Sequence, residues 1–208
     1  MRIYLWIFCL ALALPVSGAE IHFNFSDCPE GTTPTNFTPV LAGTGRPGVW
    51  KIVMGQVPSA FTPFAGQTPE MISRAVLAQT DADPTDERFP MLIYTDETFR
   101  NFKITTKFKI ISGVVEQLPG VVFRYQNPTN YYVVRASALG NNVRFYKVVN
   151  GVRSDPIGPD VNVTAGDWHT LAVQCEGNQI TFWFDDKLVM PPLGDNSFNE
   201  GRLGFRTK

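Results

Sequence analysis

A strand, a tight turn and a second strand follow one another in residues 168–186. In both arms apolar side chains occupy every second position, as Leu171 and Val173 do in the first arm. Gly177 and Asn178 separate the arms. A period of two on either side of a Gly-Asn pair is a strong signal for a β-hairpin. This segment therefore predicts antiparallel strands and indicates the fold class of the whole chain.

The same alternation recurs elsewhere in short segments, and no long helical pattern is present. The Pro-rich and Gly-rich segments 29–48 and 55–70 predict loops. Many short strands separated by turns are typical of an all-β sandwich, so we expect one such domain over residues 20–208. The further strands are predicted at 21–25, 49–53, 75–79, 91–94, 102–111, 121–126, 131–138, 143–149 and 203–207.

The first nineteen residues predict a secretory signal peptide. Arg2 precedes an apolar stretch at 3–14, and Ser17-Gly18-Ala19 is a small-residue cleavage site. The apolar stretch is shorter than the roughly 20 residues of a membrane span. No later apolar run is long enough either, so we expect an exported protein, periplasmic or extracellular, without an integral membrane segment.

The charge balance argues against nucleic-acid partners. The chain has 18 Lys and Arg against 19 Asp and Glu, and its formal charge is −1. Nucleic acids and anionic membrane surfaces attract strongly basic proteins. The sequence therefore gives no electrostatic reason to expect either partner.

Two cysteines, Cys28 and Cys175, follow the predicted leader. An even pair in an exported protein permits one disulfide. Two buried free thiols, packed as small apolar side chains, are the alternative. The sequence leaves both open, because it does not show whether the two Cβ atoms meet.

Alternation sorts the side chains of the predicted strands into two faces. One face is mainly apolar and is predicted to form the core between two sheets. Its members are Val121, Phe123, Tyr125, Tyr132, Val134, Ala136, Val143, Phe145, His169, Leu171, Val173, Cys175, Ile180, Phe182 and Phe184.

The opposite face carries the candidate ligand-binding residues, provided that these strands are neighbours in one sheet. Aromatic rings stack on the apolar face of a sugar, and arginine supplies directed donors to hydroxyls or carboxylates. The alternative is a solvated face with Arg–Asp pairs. The candidates are Arg124, Tyr131, Arg135, Arg144, Tyr146 and Trp183.

Residues 101–208 resemble the concanavalin A-like lectin/glucanase superfamily, in particular laminin G-like jelly-roll domains. The resemblance is carried by residues 102–104, 120–124, 131–135, 168–173, 177–178, 184–187 and 201–205. The segment also resembles the 3-keto-disaccharide hydrolase-type domains of bacterial exported proteins. The resemblance implies a two-sheet antiparallel jelly-roll sandwich with a ligand groove on the concave sheet.

In the superfamily one more strand usually follows the segment that here is 201–205. This chain ends at Lys208, so the resemblance predicts either a missing final strand with an open sheet edge or a different cover for that edge.

The sequence favours a binding module over an enzyme. The E-x-D-x-x-E motif of laminarinase-like relatives is absent, and that motif supplies paired carboxylates. Asp185 and Asp186 are adjacent and would face opposite sides of a strand. Glu116, Asp155 or Asp185 could reach a groove from loops or strand ends.

His169 shares the predicted core face and is interpreted as structural. We therefore predict a carbohydrate-binding or surface-interaction module without catalysis; a glycoside hydrolase of the 3-keto-disaccharide type and a structural envelope or matrix module are the alternatives.

No metal or other cofactor is predicted from the sequence. His22 and His169 are the only histidines and form no cluster with cysteine. The acidic segment 81–87 is rich in carboxylates, which calcium prefers. It lacks the spacing and the glycine of an EF-hand loop, so a solvated acidic turn is favoured over a calcium site.

Overall fold

The computed structural model describes residues 19–61 and 67–208. The predicted signal peptide lies outside these residues, apart from Ala19. The described ranges contain fourteen strands and no helix. The strands are β1 (Phe37–Gly43), β2 (Trp50–Pro58), β3 (Met71–Gln79), β4 (Arg88–Tyr94), β5 (Phe102–Lys109), β6 (Pro119–Asn127), β7 (Asn130–Ser137), β8 (Asn142–Val149), β9 (Val152–Arg153), β10 (Trp168–Glu176), β11 (Gln179–Phe184), β12 (Lys187–Leu188), β13 (Leu193–Gly194) and β14 (Arg202–Thr207).

Two antiparallel sheets pack face to face. The larger has seven strands in the order β1-β4-β14-β6-β7-β8-β9, and the smaller has the order β12-β11-β10-β5, with β13 paired to β11. Strands far apart in the chain are therefore neighbours in space, as in a jelly roll. The predicted all-β, two-sheet antiparallel jelly-roll sandwich is confirmed. No helix in the described part of the chain has the length and apolarity needed to cross a bilayer.

The predicted hairpin is formed by β10 and β11. Leu171 pairs with Phe184, and Val173 pairs with Phe182. Gly177 occupies the turn with φ 58°, a conformation that glycine adopts without a steric penalty. β10 also pairs along its other edge with β5, so this hairpin forms the centre of the smaller sheet.

The core between the sheets matches the predicted apolar face at all but one position. Each fully buried aromatic or aliphatic side chain contributes about 1.5–3 kcal/mol by leaving water, so this layer dominates the stability of the fold. Its buried members are Ile110, Val121, Phe123, Tyr132, Val134, Ala136, Val143, Phe145, Val163, Leu171, Val173, Cys175, Ile180, Phe182, Phe184 and Leu203.

The exception is Tyr125, since His169 is buried on the predicted side and packs against Phe108 and Phe184. Arg124 has φ 48°, and the β6–β7 register shifts between Phe123 and Asn127. A β-bulge of this kind turns the following side chains to the other side of the sheet. Tyr125 consequently joins the cluster on the outer face of the larger sheet, so its assignment to the core was wrong.

The N-terminal part differs from the prediction. Residues 21–25 form no strand, whereas β1 lies inside the predicted loop 29–48. Pro39 led to the prediction of a loop here, because proline is unfavourable within a sheet. β1 lies at the edge of the larger sheet and pairs with β4 alone, and edge strands tolerate proline.

Strands β2 and β3 form a separate hairpin that covers part of the larger sheet. Its Trp50 and Leu77 pack with Leu92, Tyr94 and other residues of one small cluster. The prediction that Trp50 points inward is confirmed, since its side chain is buried. The last strand, β14, is flanked on both sides, by β4 and β6.

The two cysteines are not joined. Cys175 is a buried member of the core between the sheets, and Cys28 is a half-buried residue of the segment before β1. Both are free thiols. The disulfide that we considered for this pair is therefore absent from the fold. Burial raises the pKa of the Cys175 thiol to about 11, so this thiol stays protonated and unreactive at neutral pH.

Candidate functional site

A cleft of about 450 Å³ opens on the outer face of the larger sheet. The sheet curves strongly here: the Arg153 guanidinium of β9 stands 5.6 Å from the Phe89 ring of β4, although four strands separate β9 from β4. The outer face is therefore concave. The cleft is lined by Ala42, Gly43, Glu87, Phe89, Pro128, Thr129, Tyr131, Val148, Gly151, Arg153 and Arg206.

The floor of the cleft is a second apolar cluster, separate from the core of the sandwich. Large residues such as Met91, Tyr131 and Val133 are almost completely buried there. Outer faces of antiparallel sheets are commonly solvated, so this degree of burial is unusual. The cluster consists of Ala42, Phe89, Met91, Ile93, Val122, Tyr125, Tyr131, Val133 and Val148, with Val40 and Tyr146 packed against it.

Cationic side chains lie over the aromatic rings of this face. The Arg206 guanidinium is 3.9 Å from the centre of the Phe89 ring, and the Lys208 ammonium is 5.3 Å from it. Arg153 stands 5.4 Å and Arg135 5.6 Å from the Tyr146 ring. These are cation–π distances. The face thus combines flat apolar rings with several fixed positive charges.

Alternation along the strands brings the arginines together in a row. Arg206 on β14 pairs with Gly120 on β6, Gly120 pairs with Arg135 on β7, and Arg135 pairs with Arg144 on β8. Gly120 has no side chain, and a Cβ there would lie only 2.9 Å from the Arg135 Cβ. The glycine therefore leaves room between Arg206 and Arg135.

Arg206 is the most buried of these cations, with 4% of its surface exposed. Burial lowers the pKa of its guanidinium from the usual range, and the positive charges of Arg153 and Arg135 lower it further. Burial likewise raises the pKa of the neighbouring Tyr131, so its phenol is neutral at physiological pH.

Three of the predicted site residues, Tyr131, Arg135 and Tyr146, lie together on this face. Arg135 donates hydrogen bonds to the Asn142 side chain and, at 3.1 Å, to the Tyr146 hydroxyl. These bonds orient the Tyr146 ring at the side of the cleft. With Arg144 of the neighbouring strand, four of the six predicted residues lie on this face.

Arg144 belongs to the same row, but its guanidinium is already engaged. It donates a 2.6 Å hydrogen bond to the Gly158 carbonyl and forms an ion pair with Asp160. This matches the alternative in which an arginine of the face is held by a carboxylate. Arg144 consequently has few free donors for a ligand.

Arg124 was wrongly placed on the ligand face. Its side chain has no exposed surface, and its terminal nitrogens donate to the carbonyl oxygens of Phe198, at 2.6 Å, and Gly177. Because of the bulge at Arg124, the guanidinium lies at the end of the sandwich. There it donates hydrogen bonds to the loop before β14 and to the turn between β10 and β11, and so holds the two segments together. Arg124 is a structural residue.

Trp183 lies on the other sheet, so its grouping with the β7 and β8 residues was also wrong. It is on β11 and pairs with Ala172 of β10. Lys103 stands over its ring at 4.9 Å. The prediction assumed that all five strands were neighbours, whereas β6–β8 and β10–β11 belong to different sheets.

Sequence reasoning missed Glu87, Phe89, Arg153 and Arg206. Glu87 fell in the acidic segment 81–87, and Phe89 lay between that segment and the predicted strand 91–94, although β4 begins at Arg88. Arg206 and Gly204 are two residues apart on β14, so their positions share one side of the sheet. Alternation would have assigned Arg206 to the outer face once β14 was known to lie between β4 and β6. Nothing local in the sequence signals that β9 curls back toward β4.

The carboxylates considered for catalysis lie elsewhere. Glu116, Asp155 and Asp185 do not line the cleft. Asp185 accepts a 2.8 Å hydrogen bond from the Thr170 amide and lies 2.8 Å from His169 Nδ1. His169 Nε2 lies 3.0 Å from the Thr164 carbonyl oxygen. Both ring nitrogens have partners, which supports the structural interpretation of this histidine.

The acidic segment 81–87 is not an open solvated turn. Asp81 forms an ion pair with Arg88, whose side chain is 5% exposed, and Asp83 lies 3.6 Å from the same guanidinium. Hydrogen bonds from Thr85, with the charge of Arg88, lower the pKa of Asp83 to about 2. Arg88 is thus paired with Asp81 and Asp83, two of the carboxylates that were considered as calcium ligands. In the described ranges, no three His, Cys, Asp or Glu side chains form a group that could hold a metal ion.

Residues 50–192 match the 3-keto-alpha-glucoside-1,2-lyase-like domain family. The chain belongs to this family. The match spans more than half of the chain and includes Glu87, Phe89, Tyr131 and Arg153, whereas Arg206 lies beyond it. The predicted resemblance to 3-keto-disaccharide hydrolase-type domains is confirmed. A search of curated proteins found no match.

A solved structure shares the fold of this family member. Carbohydrate-binding module CBM66 from Bacillus subtilis aligns with a TM-score of 0.54 at 19% identity, over 76% of this chain and 86% of that one. A β-glucanase from Bacillus licheniformis aligns with a TM-score of 0.47 at 11% identity, over 85% and 81% of the two chains. At 19% identity the likeness to CBM66 concerns the fold alone.

Proposed function

We propose that this protein is an exported carbohydrate-binding domain that takes its glycan in the cleft of the larger sheet. The observation that carries the proposal is the meeting of Phe89, Tyr131 and Tyr146 with Arg153 and Arg206 on one concave face. Aromatic rings bind the apolar face of a sugar, and guanidinium groups bind its oxygens. The family match and the shared fold with CBM66 support a sugar-related role.

The size of the cleft is consistent with this proposal. Its volume of about 450 Å³ falls in the usual range for small-ligand sites, about 300–1,000 Å³. The floor is largely pre-formed, because Tyr131 is 2% exposed and packed in the apolar cluster. A rigid floor loses little conformational entropy when a ligand binds.

The absence of a carboxylate pair supports binding without hydrolysis. Glycoside hydrolases use two carboxyl groups about 5–10 Å apart. Among the described residues, Glu87 is the single carboxylate that lines the cleft. Asp86 lies in the same turn, but the Lys208 ammonium is bonded to it at 2.6 Å.

A lyase is the second candidate, and Glu87 is the observation that favours it. Cleaving a 3-keto glucoside by elimination requires a base to take the proton from the carbon beside the ketone, while the glycosidic oxygen departs. One carboxylate is enough for that base. Arg153 and Arg206 would stabilise the negative charge that develops on the ketone oxygen. The family name fits this chemistry.

Export is part of the proposal and rests on residues 1–19. A charged start, an apolar stretch and a small-residue site form the pattern of a secretory leader. Peptide-terminal sequencing of the protein recovered from culture medium or periplasm would test this. A mature chain that starts at Glu20 is the expected result, and an intact Met1 in the cytoplasm would contradict it.

The binding proposal is tested by ligand-observed NMR against a panel of oligosaccharides that includes 3-keto disaccharides, followed over hours. We expect binding that Arg153→Ala weakens about 10- to 100-fold, since one charge-assisted hydrogen bond contributes roughly 1.5–3 kcal/mol. Trp183→Ala is the matched control, because Trp183 lies on the other sheet, and its binding should stay at the wild-type level.

The outcomes separate the two candidates. Binding without turnover supports the carbohydrate-binding domain. Turnover of a 3-keto disaccharide that Glu87→Gln abolishes, with binding retained, would establish the lyase instead. Loss of binding in Trp183→Ala but not in Arg153→Ala would place the ligand on the smaller sheet and contradict the proposed cleft.

A further inference from the structure

The charge in the cleft is not balanced by the protein. Arg206 forms no ion pair within residues 19–61 and 67–208, its Nε has no hydrogen-bond partner there, and the side-chain group that it meets by hydrogen bonding is the neutral Tyr131 hydroxyl. Lys208, the other cation over the Phe89 ring, does have a carboxylate partner in Asp86. Arg206 is therefore a cation with 4% exposure and no counter-charge in contact with it.

Leaving a guanidinium in this state is costly. A charge removed from water destabilises a fold unless it is paired and hydrogen-bonded. Arginine does not relieve this by losing its proton, because its pKa is too high. The neighbouring Arg153 and Arg135 add repulsion, and burial has already lowered the pKa of Arg206. The ring of Phe89 offsets part of the cost by a cation–π contact at 3.9 Å.

The geometry leaves the edge of the guanidinium for a ligand. One face of Arg206 is covered by Phe89, and the residue lines the cleft beside Arg153. The planar N–H groups of arginine match the spacing of oxygens in carboxylate and sulfate groups. Glu87, the one carboxylate among the described lining residues, is outnumbered by the two arginines.

We infer that the glycan bound in this cleft is acidic, and that its carboxylate or sulfate group is held by Arg206 together with Arg153. This inference rests on the proposed carbohydrate-binding function and specifies the class of its ligand. The anion supplies the counter-charge that Arg206 lacks, while Tyr131 and Tyr146 contact the sugar ring. A neutral sugar in the cleft would cover the guanidinium without supplying a counter-charge, so the site discriminates against it.

The inference is tested on an array of neutral, uronic acid and sulfated oligosaccharides, with affinities then measured by calorimetry. Two matched pairs isolate the charge: oligogalacturonate against its methyl ester, and sulfated chondroitin oligosaccharide against its unsulfated form. The first pair reports a carboxylate and the second a sulfate. We expect the glycans that bind to be acidic, with the neutralised form at least about 10-fold weaker, and binding to weaken as NaCl rises.

Variants of the two arginines test whether these residues bind the anionic group. Arg206→Met and the exposed Arg153→Gln should each weaken the acidic glycan about 10- to 100-fold. Arg206→Lys, which keeps the charge without the planar fork, should lose less. Arg100→Gln is the matched control: it removes one positive charge from an exposed site beside Glu200, outside the cleft, and should leave affinity unchanged.

The outcomes keep the inference apart from the function on which it rests. Equal affinity for the acidic and neutral members of each pair would overturn the acidic ligand and leave the carbohydrate-binding function standing. An array that retains no glycan of any class would overturn both. Because Arg153 is exposed, its variant reports on the anion contact even if Arg206→Met perturbs the fold.

Discussion

Arg124 and Arg206 are two buried arginines of the same sheet with opposite surroundings. The terminal nitrogens of Arg124 donate to the Phe198 and Gly177 carbonyl oxygens. Arg206 has an aromatic ring on one face and no ion pair among the described residues. A buried cation bonded to two backbone carbonyl oxygens holds the fold together, whereas one that meets an aromatic ring and a neutral phenol still lacks a counter-charge and suits an anionic ligand. Residue type and burial alone did not distinguish the two.

The largest expected effect is on stability, and it differs between these two arginines. Arg124→Met should lower the free energy of unfolding by about 3 kcal/mol, because two buried carbonyl groups lose a charged donor. Arg206→Met should leave it unchanged or raise it, since an apolar side chain would replace an unpaired buried charge. Urea denaturation of both variants measures this. A greater loss for Arg206→Met than for Arg124→Met would reverse the roles assigned here.

A second prediction concerns the loop that Arg124 fastens. Asp195 in this loop lies 2.6 Å from the Lys147 ammonium, accepts a 2.7 Å bond from the Ser197 amide and also binds the Tyr132 hydroxyl. Burial alone would raise the pKa of Asp195, but these bonds outweigh it and the pKa is lowered overall. Asp195→Asn should cost roughly 2 kcal/mol of unfolding free energy.

Asp195 also makes the free energy of unfolding depend on pH, in a direction that its lowered pKa defines. A carboxyl with a lowered folded-state pKa stabilises the fold above its unfolded pKa of about 3.9, and this contribution is lost as pH falls through the folded pKa. Unfolding free energy should therefore be level from neutral pH to about 5 and fall below about 4. Asp195→Asn should flatten that fall. An unchanged acid slope in this variant would show that Asp195 does not anchor the loop.

The smallest expected effect is at Arg144, which belongs to the arginine row but is held by Asp160 and Gly158. Arg144→Ala should change glycan affinity less than about twofold, because its donors are already engaged, and exposed ion pairs contribute about 0–1 kcal/mol to stability. Calorimetric titration beside Arg153→Gln measures the contrast. An equal loss in both variants would mean that the ligand reaches across to β8.

The sandwich core could be predicted because alternation is a local property. Val121, Phe123 and Val134 follow a period of two, and each lies in the core. Tyr125 broke the pattern because the backbone at Arg124 takes a positive φ and reverses the side-chain directions that follow. Strand β1 was not predicted because Pro39 argues against a strand, and the sequence alone does not reveal that β1 lies at a sheet edge, where proline is tolerated.

The candidate site was predictable in part. Tyr131, Arg135 and Tyr146 lie on adjacent hairpin strands, so their shared face follows from short connections. Trp183 was misplaced because neighbouring strands in the sequence need not belong to the same sheet. Phe89, Arg153 and Arg206 were missed because they come from three strands widely separated in the chain.

The sequence by itself determined the fold class, the inward residues of each regular strand and the family to which the chain belongs, since alternation and turn residues act over a few positions. The tertiary structure decided which strands are neighbours, how far the larger sheet curls and which arginines find acceptors. Those outcomes depend on long-range packing. The curl that brings β9 back to β4, with the burial of Arg206, forms the cleft.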